Sequence, residues 1–447
     1  MRASTLASVA ACGLFLRVAI PQSFAIIPRG RAVADATFRQ TGFPEASEHG
    51  APYDGTLASG LSCAAMTAAM LTVTSLKLVS SSLHTRRQSS FCKPLQQGMR
   101  QQAVQVHSTV ARAAEGEPIL RLGTRGSPLA LAQAYETKRV LAAAFPELAP
   151  EGAVEIRTIS TTGDQRLEIS LAEIGGKGLF TRELDVALIN KEVDFCVHST
   201  KDVPTVLVPG TELCTMLPRE DSRDVIITPN GITRFEDLPA GSLIGTASLR
   251  RQAQIYAVNP NVKCVNFRGN VQTRLRKLKV GEVNCTLLAY AGLKRMNMTE
   301  HATRILEWDE MLPAISQGAI SFQCASDDEA TLKYLRPLNH RQTFEAVTCE
   351  RAFLASLDGN CKTPIAGQAK VSADGQLHLI GLVSSPDGQK IFRVTRSGAA
   401  SDAATIGKDA GMEIRKEAGE KFFEDMQDYV QAVQAANEKP TKAPSPA

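Results

Sequence analysis

Twice along the chain, apolar runs of strand length alternate with amphipathic segments of helical period. Ile119-Leu120-Arg121-Leu122 predicts a short strand ending at Gly123-Thr124-Arg125-Gly126-Ser127-Pro128. Leu129 to Phe145 then predicts a helix, with Ser127 as N-cap and Pro128 at the first helical position. Val154–Ser160 reads as a strand, Thr181–Asn190 as a helix with Leu184, Ala187 and Leu188 on one face, and Asp194–His198 as a strand. The pattern restarts at Leu243-Ile244-Gly245-Thr246-Ala247-Ser248. It continues as helix Leu249–Val258, strand Lys263–Phe267, helix Val271–Lys279 and strand Cys285–Tyr290. Strands alternating with helices imply parallel sheets with helices on their faces. Gly-Thr followed by Ser before a helix occurs in both halves, which points to a distant duplication and two similar lobes. Ligands of such sheets sit at the strand ends, here in the cleft between the lobes.

From about Arg341 the pattern changes. A helix is predicted over Gln342–Leu357, then three strand-like runs separated by Asp374-Gly375 and Pro386-Asp387-Gly388. A last helical stretch, Ala403 to Ala435, is interrupted by Gly407, Gly411 and Gly419, and Lys439–Ala447 is a Pro-rich tail. The expected organisation is a leader over 1–114, lobe 1 from 115–217 and 319–336, and lobe 2 from 223–312. A C-terminal α+β domain over 341–437 and a disordered tail over 438–447 complete it.

The leader changes the reading of charge. Residues 1–114 carry a net +7, so the +4 of the whole chain hides a body with a net −3. A slightly acidic body has no global reason to bind nucleic acid or anionic membrane, and any anion must be gripped locally. Arg2, the mostly apolar run Ala7–Ile20 and Ser23-Phe24-Ala25 have the layout of a secretory signal. Gly55 to Ala114 lacks Asp and Glu but contains Lys77, Arg86, Arg87, Lys93, Arg100 and Arg112, the composition of a transit peptide. Such a bipartite leader implies a complex plastid, for example an apicoplast. No run of about 18 strongly apolar residues argues for a multi-pass membrane protein. One Trp and 5% aromatics give little surface for stacking bases. Ten Cys without a C-x-x-C pair write no zinc ribbon, and no metal is expected.

Arginine placement is the most informative chemical feature. Arg125, Arg250, Arg251, Arg268, Arg274 and Arg295 fall near strand ends or in first helical turns, where guanidinium groups and free N–H groups together hold carboxylate or phosphate. Ile174-Gly175-Gly176-Lys177-Gly178-Leu179-Phe180 lacks P-loop spacing but suits the edge of a lid. In Val197-His198-Ser199-Thr200-Lys201-Asp202-Val203-Pro204, Asp202 is expected to be a single carboxylate among cations, placed to stabilise a developing positive charge. His198 reads as structural. Cys196, Cys264 and Cys285 lie in apolar strands, whereas Cys361 sits in a Gly-containing loop beside Lys362 and is the best nucleophile candidate.

Taken in order, RLGTRGSPLALAQ, IGGKGLFTRELDVAL, VHSTKDVP, GTASLRRQ, FRGNVQTRL, LAYAGLKR, SQGA and GNCKTPI make Ile119–Gln434 closely resemble the porphobilinogen deaminase (hydroxymethylbilane synthase) family. The resemblance implies two doubly wound lobes like type II periplasmic binding proteins, hinged near Pro218–Ser222 and Pro313–Gln317, plus a C-terminal domain with a three-stranded antiparallel sheet. It implies a transferase with a dipyrromethane cofactor bound through a thioether to Cys361. Four porphobilinogens add in turn, each losing ammonia to give an azafulvene that the growing chain attacks, and hydrolysis releases hydroxymethylbilane. By the same resemblance Asp202 is catalytic. Lys201, Ser199, Thr246, Ser248, Arg250, Arg251, Arg268, Arg274 and Gln317 bind cofactor, while Arg125, Ser127, Arg295, Lys177 and Phe180 bind substrate. Glu173, Asn360 and Gln323 depart from common family residues. The implied protein is a monomer with porphobilinogen as its small-molecule partner and no nucleic acid or membrane partner. A non-enzymatic anionic-solute-binding protein of the same lobes is the alternative, but it has no use for Cys361. A nucleic-acid binder using Arg268–Lys279 fits the acidic body poorly.

Overall fold

The computed structural model describes residues 117–165, 178–359 and 363–438. The leader, Lys177, Glu173, Asn360 and Cys361 therefore lie outside the described residues.

In the first lobe, β1 (Leu120–Arg125), β2 (Val154–Ile159) and β3 (Phe195–Ser199) run parallel. Between them come α1 (Pro128–Ala144) and α2 (Arg182–Ile189). β1 extends further than the pattern predicted, through Gly123-Thr124-Arg125, because these residues continue the ladder with β2 as far as Ile159. Ser127 starts α1 as expected, its Oγ accepting from Ala130 N at 3.3 Å. β4 (Thr211–Met216) leads out of this lobe into β5 (Asp224–Ile227), the first strand of the second.

There β6 (Leu243–Gly245), α3 (Leu249–Val258), β7 (Lys263–Val265), α4 (Val271–Lys279) and β8 (Cys285–Ala289) repeat the first arrangement. α5 (Tyr290–Arg295) and β9 (Arg304–Ile305) follow, and the chain returns through β10 (Ile320–Ala325) to the first sheet. The strand orders are β2-β1-β3-β10-β4 and β7-β6-β8-β5-β9. Each sheet thus has three parallel strands, then an antiparallel strand, then an edge strand, with the antiparallel strand supplied by a crossing segment. This shared order gives the two similar lobes expected from the sequence repeat. The two crossings meet, Glu220 N donating to Gly318 O at 3.2 Å.

After α6 (Glu329–Leu335), α7 (Arg341–Ser356) opens the third unit. β11 (Ile365–Val371), β12 (Gln376–Ser384) and β13 (Ile391–Ala399) form its antiparallel sheet, followed by α8 (Ala403–Ala418) and α9 (Glu420–Glu438). Phe353, Leu377, Leu379, Val394, Ile414 and Phe423 share its core. Of the three glycines read as interruptions, only Gly419 breaks the helix. Gly407 and Gly411 lie inside α8 where it presses on α7: a Cβ on Gly407 would fall 2.0 Å from Cys349 O. They are contact points rather than breaks, because only a missing side chain lets the two backbones approach so closely. Gly407→Ala is expected to lower stability by about 1–3 kcal/mol or more through overpacking, read as a fall in the urea midpoint. An unchanged midpoint would mean that the helices separate freely.

Arg219, on the first crossing, and Glu350, fully buried in α7, tie this unit to the lobes. Glu350 accepts from Arg219 Nη1 at 2.6 Å, Ser316 N at 2.6 Å and Ala369 N at 2.6 Å.

Candidate active site

Strand ends from both lobes and one face of the third unit enclose a cavity of about 390 Å³. From the first lobe come Arg125 and Ser127 around the start of α1, Phe180 before α2, and Ser199, Lys201 and Asp202 at the end of β3. The second lobe contributes Thr246 and Ser248 before α3, Arg250 and Arg251 in its first turn, and Arg268 and Arg274 around α4. Gln317 enters from the return crossing, and Leu354, Thr363 and Ile365 close the third side. Thr363, two residues beyond Cys361, therefore faces the same space as Asp202. Arg295 is not among the lining residues. Its Nη2 donates to Gly318 O at 2.9 Å, and its Nε approaches Glu136 Oε2 at 3.4 Å, so it joins α5 to α1 and the crossing.

Asp202 ends a single turn, Thr200–Asp202, that caps β3. Thr200 anchors this turn by donating N–H and Oγ1–H to Ala319 O, both at 3.0 Å. From α7, Arg351 donates to Val203 O at 3.1 Å and Pro204 O at 2.6 Å. The turn is therefore held by the crossing on one side and the third unit on the other. Gln133 completes the strand end by donating to Ser199 Oγ at 2.9 Å.

The expectation of one carboxylate among cations is corrected: Asp164 also lines the cavity and Asp224 lies directly behind it. Arg125 donates Nε to Asp164 at 2.9 Å, reaches Asp202 at 3.4 Å and stacks 4.2 Å above the Phe180 ring. Burial opposes charge on Asp164, but Arg125 outweighs it and holds the carboxyl below its ordinary range. Asp224 is fully buried and accepts from Arg250 Nη2 at 2.8 Å, Arg251 Nη2 at 2.8 Å and Gln317 Nε2 at 2.8 Å. Burial alone would raise its pKa; the two arginines prevail and hold it far below the usual carboxylate range. Lys201 Nζ reaches Gln317 Oε1 at 3.4 Å, which completes a polar chain from one lobe to the other through the crossing. Solvent reaches the Lys201 side chain through the cleft, yet loss of water around its ammonium and the nearby arginines push its pKa down.

Sequence reasoning passed over Asp164, Asp224, Gln133 and Arg351. Asp224 left one trace, as the charged first residue of the apolar run Val225-Ile226-Ile227. Ser248 occupies the N-cap position of α3 without a side-chain cap bond. Its hydroxyl remains at the cavity rather than stapling the helix. Gln323, to which no role was given, donates to Asp185 Oδ1 and Thr211 Oγ1, both at 2.9 Å, away from the cavity.

Arg274 carries the most demanding charge. Its Nη2 donates to Thr286 Oγ1 at 2.9 Å and Leu287 O at 2.7 Å, but its buried Nε has no acceptor and no carboxylate pairs with it among the described residues. Burial, and then Arg251, make this guanidinium costly to charge. A bound anion would relieve both. Six lining cations, Arg125, Lys201, Arg250, Arg251, Arg268 and Arg274, outnumber Asp164, Asp202 and Asp224. The cavity is therefore suited to a ligand with several carboxylates, with Asp202 left to face donors or positive charge.

Among the described residues no group of three or more His, Cys, Asp or Glu could hold a metal. His198 is buried, and burial pushes its imidazole down to about 4. Its folded pKa lies below its unfolded value near 6.5, so the unfolded chain binds the extra proton between these limits and stability falls on acidification. We expect His198→Gln to remove about 3 kcal/mol of the loss between roughly pH 6.5 and 4, measured by urea unfolding. Equal pH slopes in both proteins would contradict the burial argument.

Residues 120–333 match the family model described as porphobilinogen deaminase, dipyromethane cofactor binding domain, and residues 344–416 match porphobilinogen deaminase, C-terminal domain. A protein of Oryza sativa subsp. japonica named porphobilinogen deaminase, chloroplastic, is 54% identical over 73% of this chain and 93% of its own length. One of Nitrobacter winogradskyi named porphobilinogen deaminase is 50% identical over 69% of this chain and 96% of its own. Among solved structures, a TRAP periplasmic solute binding protein from Desulfovibrio salexigens aligns with a TM-score of 0.33 and 11% identity, covering 73% of this chain and 98% of that one.

Proposed function

Because the chain belongs to the porphobilinogen deaminase family, we propose that it condenses porphobilinogen, with loss of ammonia, on a covalent dipyrromethane and releases hydroxymethylbilane. The supporting observation is the Arg274 guanidinium, with its unpartnered Nε, in a cavity where cations exceed carboxylates. Each pyrrole of such a ligand brings two carboxylates, so the donor set fits the cofactor. When bound, the dipyrromethane supplies the free α-carbon to which the first substrate ring is joined.

The chain's own residues divide the remaining work. Arg250, Arg251, Arg268 and Arg274, with Ser248 and Thr246, hold acetate and propionate groups of the cofactor, and Lys201, Ser199 and Gln317 hold its rings in register. Arg125, steadied by Asp164 and Phe180, meets an incoming substrate carboxylate. Asp202 accepts pyrrole N–H groups and offsets positive charge as ammonia departs. Cys361 carries the thioether, which survives turnover where an oxygen ester would hydrolyse. Lys177 and Arg295 act at the lid and at the lobe contact.

The reaction class is a group transfer, and the protein acts as a monomer on a small-molecule substrate. Relatives named chloroplastic and the composition of residues 1–114 support delivery to a plastid, with a complex plastid as the specific destination. Intact-mass measurement of the purified protein is expected to show two condensed substrate units, with a positive Ehrlich colour test. Cys361→Ser should lose both signals. A bare wild-type mass would favour the solute-binding alternative, and a normal bound cofactor in Cys361→Ser would move the attachment elsewhere.

A further inference from the structure

β4 and β10 pair antiparallel, with Cys324 opposite Glu212. The register slips between Phe322 and Gln323, so Thr215 faces Phe322, Leu213 faces Gln323, and Cys214 is the extra residue of a bulge. Strand alternation puts Cys214 on the same side as Glu212 and hence as Cys324. Its Sγ donates to Phe322 O at 3.5 Å, and both sulfurs belong to one apolar cluster. Cys324 is fully buried, whereas Cys214 is partly exposed.

Other described cysteines are placed differently. Cys264 and Cys285 flank Ile244 from opposite sides, about 9.6 Å apart by strand spacing, beyond the roughly 7 Å limit for a disulfide. Cys196 lies opposite Gln323 and so faces away from Cys324.

We propose that Cys214 and Cys324 are a redox-active pair that closes reversibly into an intrachain disulfide. The neighbouring Cys324 pushes the Cys214 pKa down, so Cys214 ionises first. The Cys214 thiolate attacks one sulfur of a small disulfide, forming a mixed disulfide, and the released thiolate takes up the proton Cys214 lost. The Cys324 sulfur then attacks the Cys214 sulfur and expels the second thiolate, which takes the Cys324 proton. Two protein thiols are oxidised and one disulfide is reduced to two thiols. Since β4 runs into the outgoing crossing and β10 emerges from the returning one, the bond cross-links the two strands that lead into and out of the crossings.

The test treats holoenzyme with oxidised glutathione, blocks residual thiols with N-ethylmaleimide in denaturant and maps peptides without reduction. The expected product joins the Cys214 and Cys324 peptides and disappears with dithiothreitol. Cys324→Ser should instead retain glutathione on Cys214. Should that variant not fold, Cys214→Ser should give no joined peptide and leave Cys324 open to maleimide only after denaturation. Maleimide on both residues of glutathione-treated wild type, or glutathione persisting on wild-type Cys214, would overturn the proposal.

Discussion

Asp202→Asn is expected to lower kcat by about 10²–10³-fold, the cost of losing one preorganised electrostatic group at a developing charge. Asparagine fills the same volume on the turn that Thr200 and Arg351 hold in place, so the fold should survive. Dipyrromethane content, read with Ehrlich reagent, should be near normal, because the cations assigned to its carboxylates lie on other elements. Asp202 also pairs loosely with Arg125 at 3.4 Å, so a modest change in KM is expected beside the large change in kcat. Retained turnover, or loss of the cofactor together with turnover, would remove Asp202 from the chemical step.

The second large effect concerns stability. Asp224→Ala leaves Arg250 and Arg251, both buried, without their shared carboxylate. Breaking a buried pair on one side costs about 3–5 kcal/mol, chiefly because an unpaired charge stays out of water. The loss should appear as a lower urea midpoint, and it should be smaller in cofactor-loaded protein if bound carboxylates take over part of the pairing. The pH dependence has a definite sign. Asp224 is depressed in the folded state, so its contribution is present above its unfolded value near 4 and is lost as pH falls toward the folded value. The variant should therefore show a shallower acid limb. An unchanged midpoint would mean that the arginines find equal partners elsewhere.

The helices and parallel strands of both lobes were legible because each carries its own signal: Ser127-Pro128 starts α1, and the apolar run Phe195-Cys196-Val197 marks a buried strand. The cations of the site were legible for a related reason. They sit at strand ends and helix starts, positions that one-dimensional pattern identifies. Their partners were not legible. Asp224 and Arg251 are 27 residues apart, and Arg125 and Asp164 are 39 apart, so no local rule relates them. Gly407 and Gly411 misled for the same reason, since what requires them is the backbone of another helix. Arg351 drew no notice in the sequence, because only the packing of α7 against the turn that carries Asp202 gives it a role.

By itself the sequence determined the kinds of element, the repeat of one α/β pattern, the concentration of guanidinium groups at strand ends and the ordered motifs of the family. These properties depend on neighbours within a few residues, where backbone preference and apolar period act directly. Tertiary structure alone decided which cations are already paired, which remain short of an acceptor, and which surface of the third unit faces Asp202. Charge compensation is a property of distance in space. The crossings that carry β10 back beside β3 bring together groups that the chain keeps more than a hundred residues apart, such as Lys201 and Gln317.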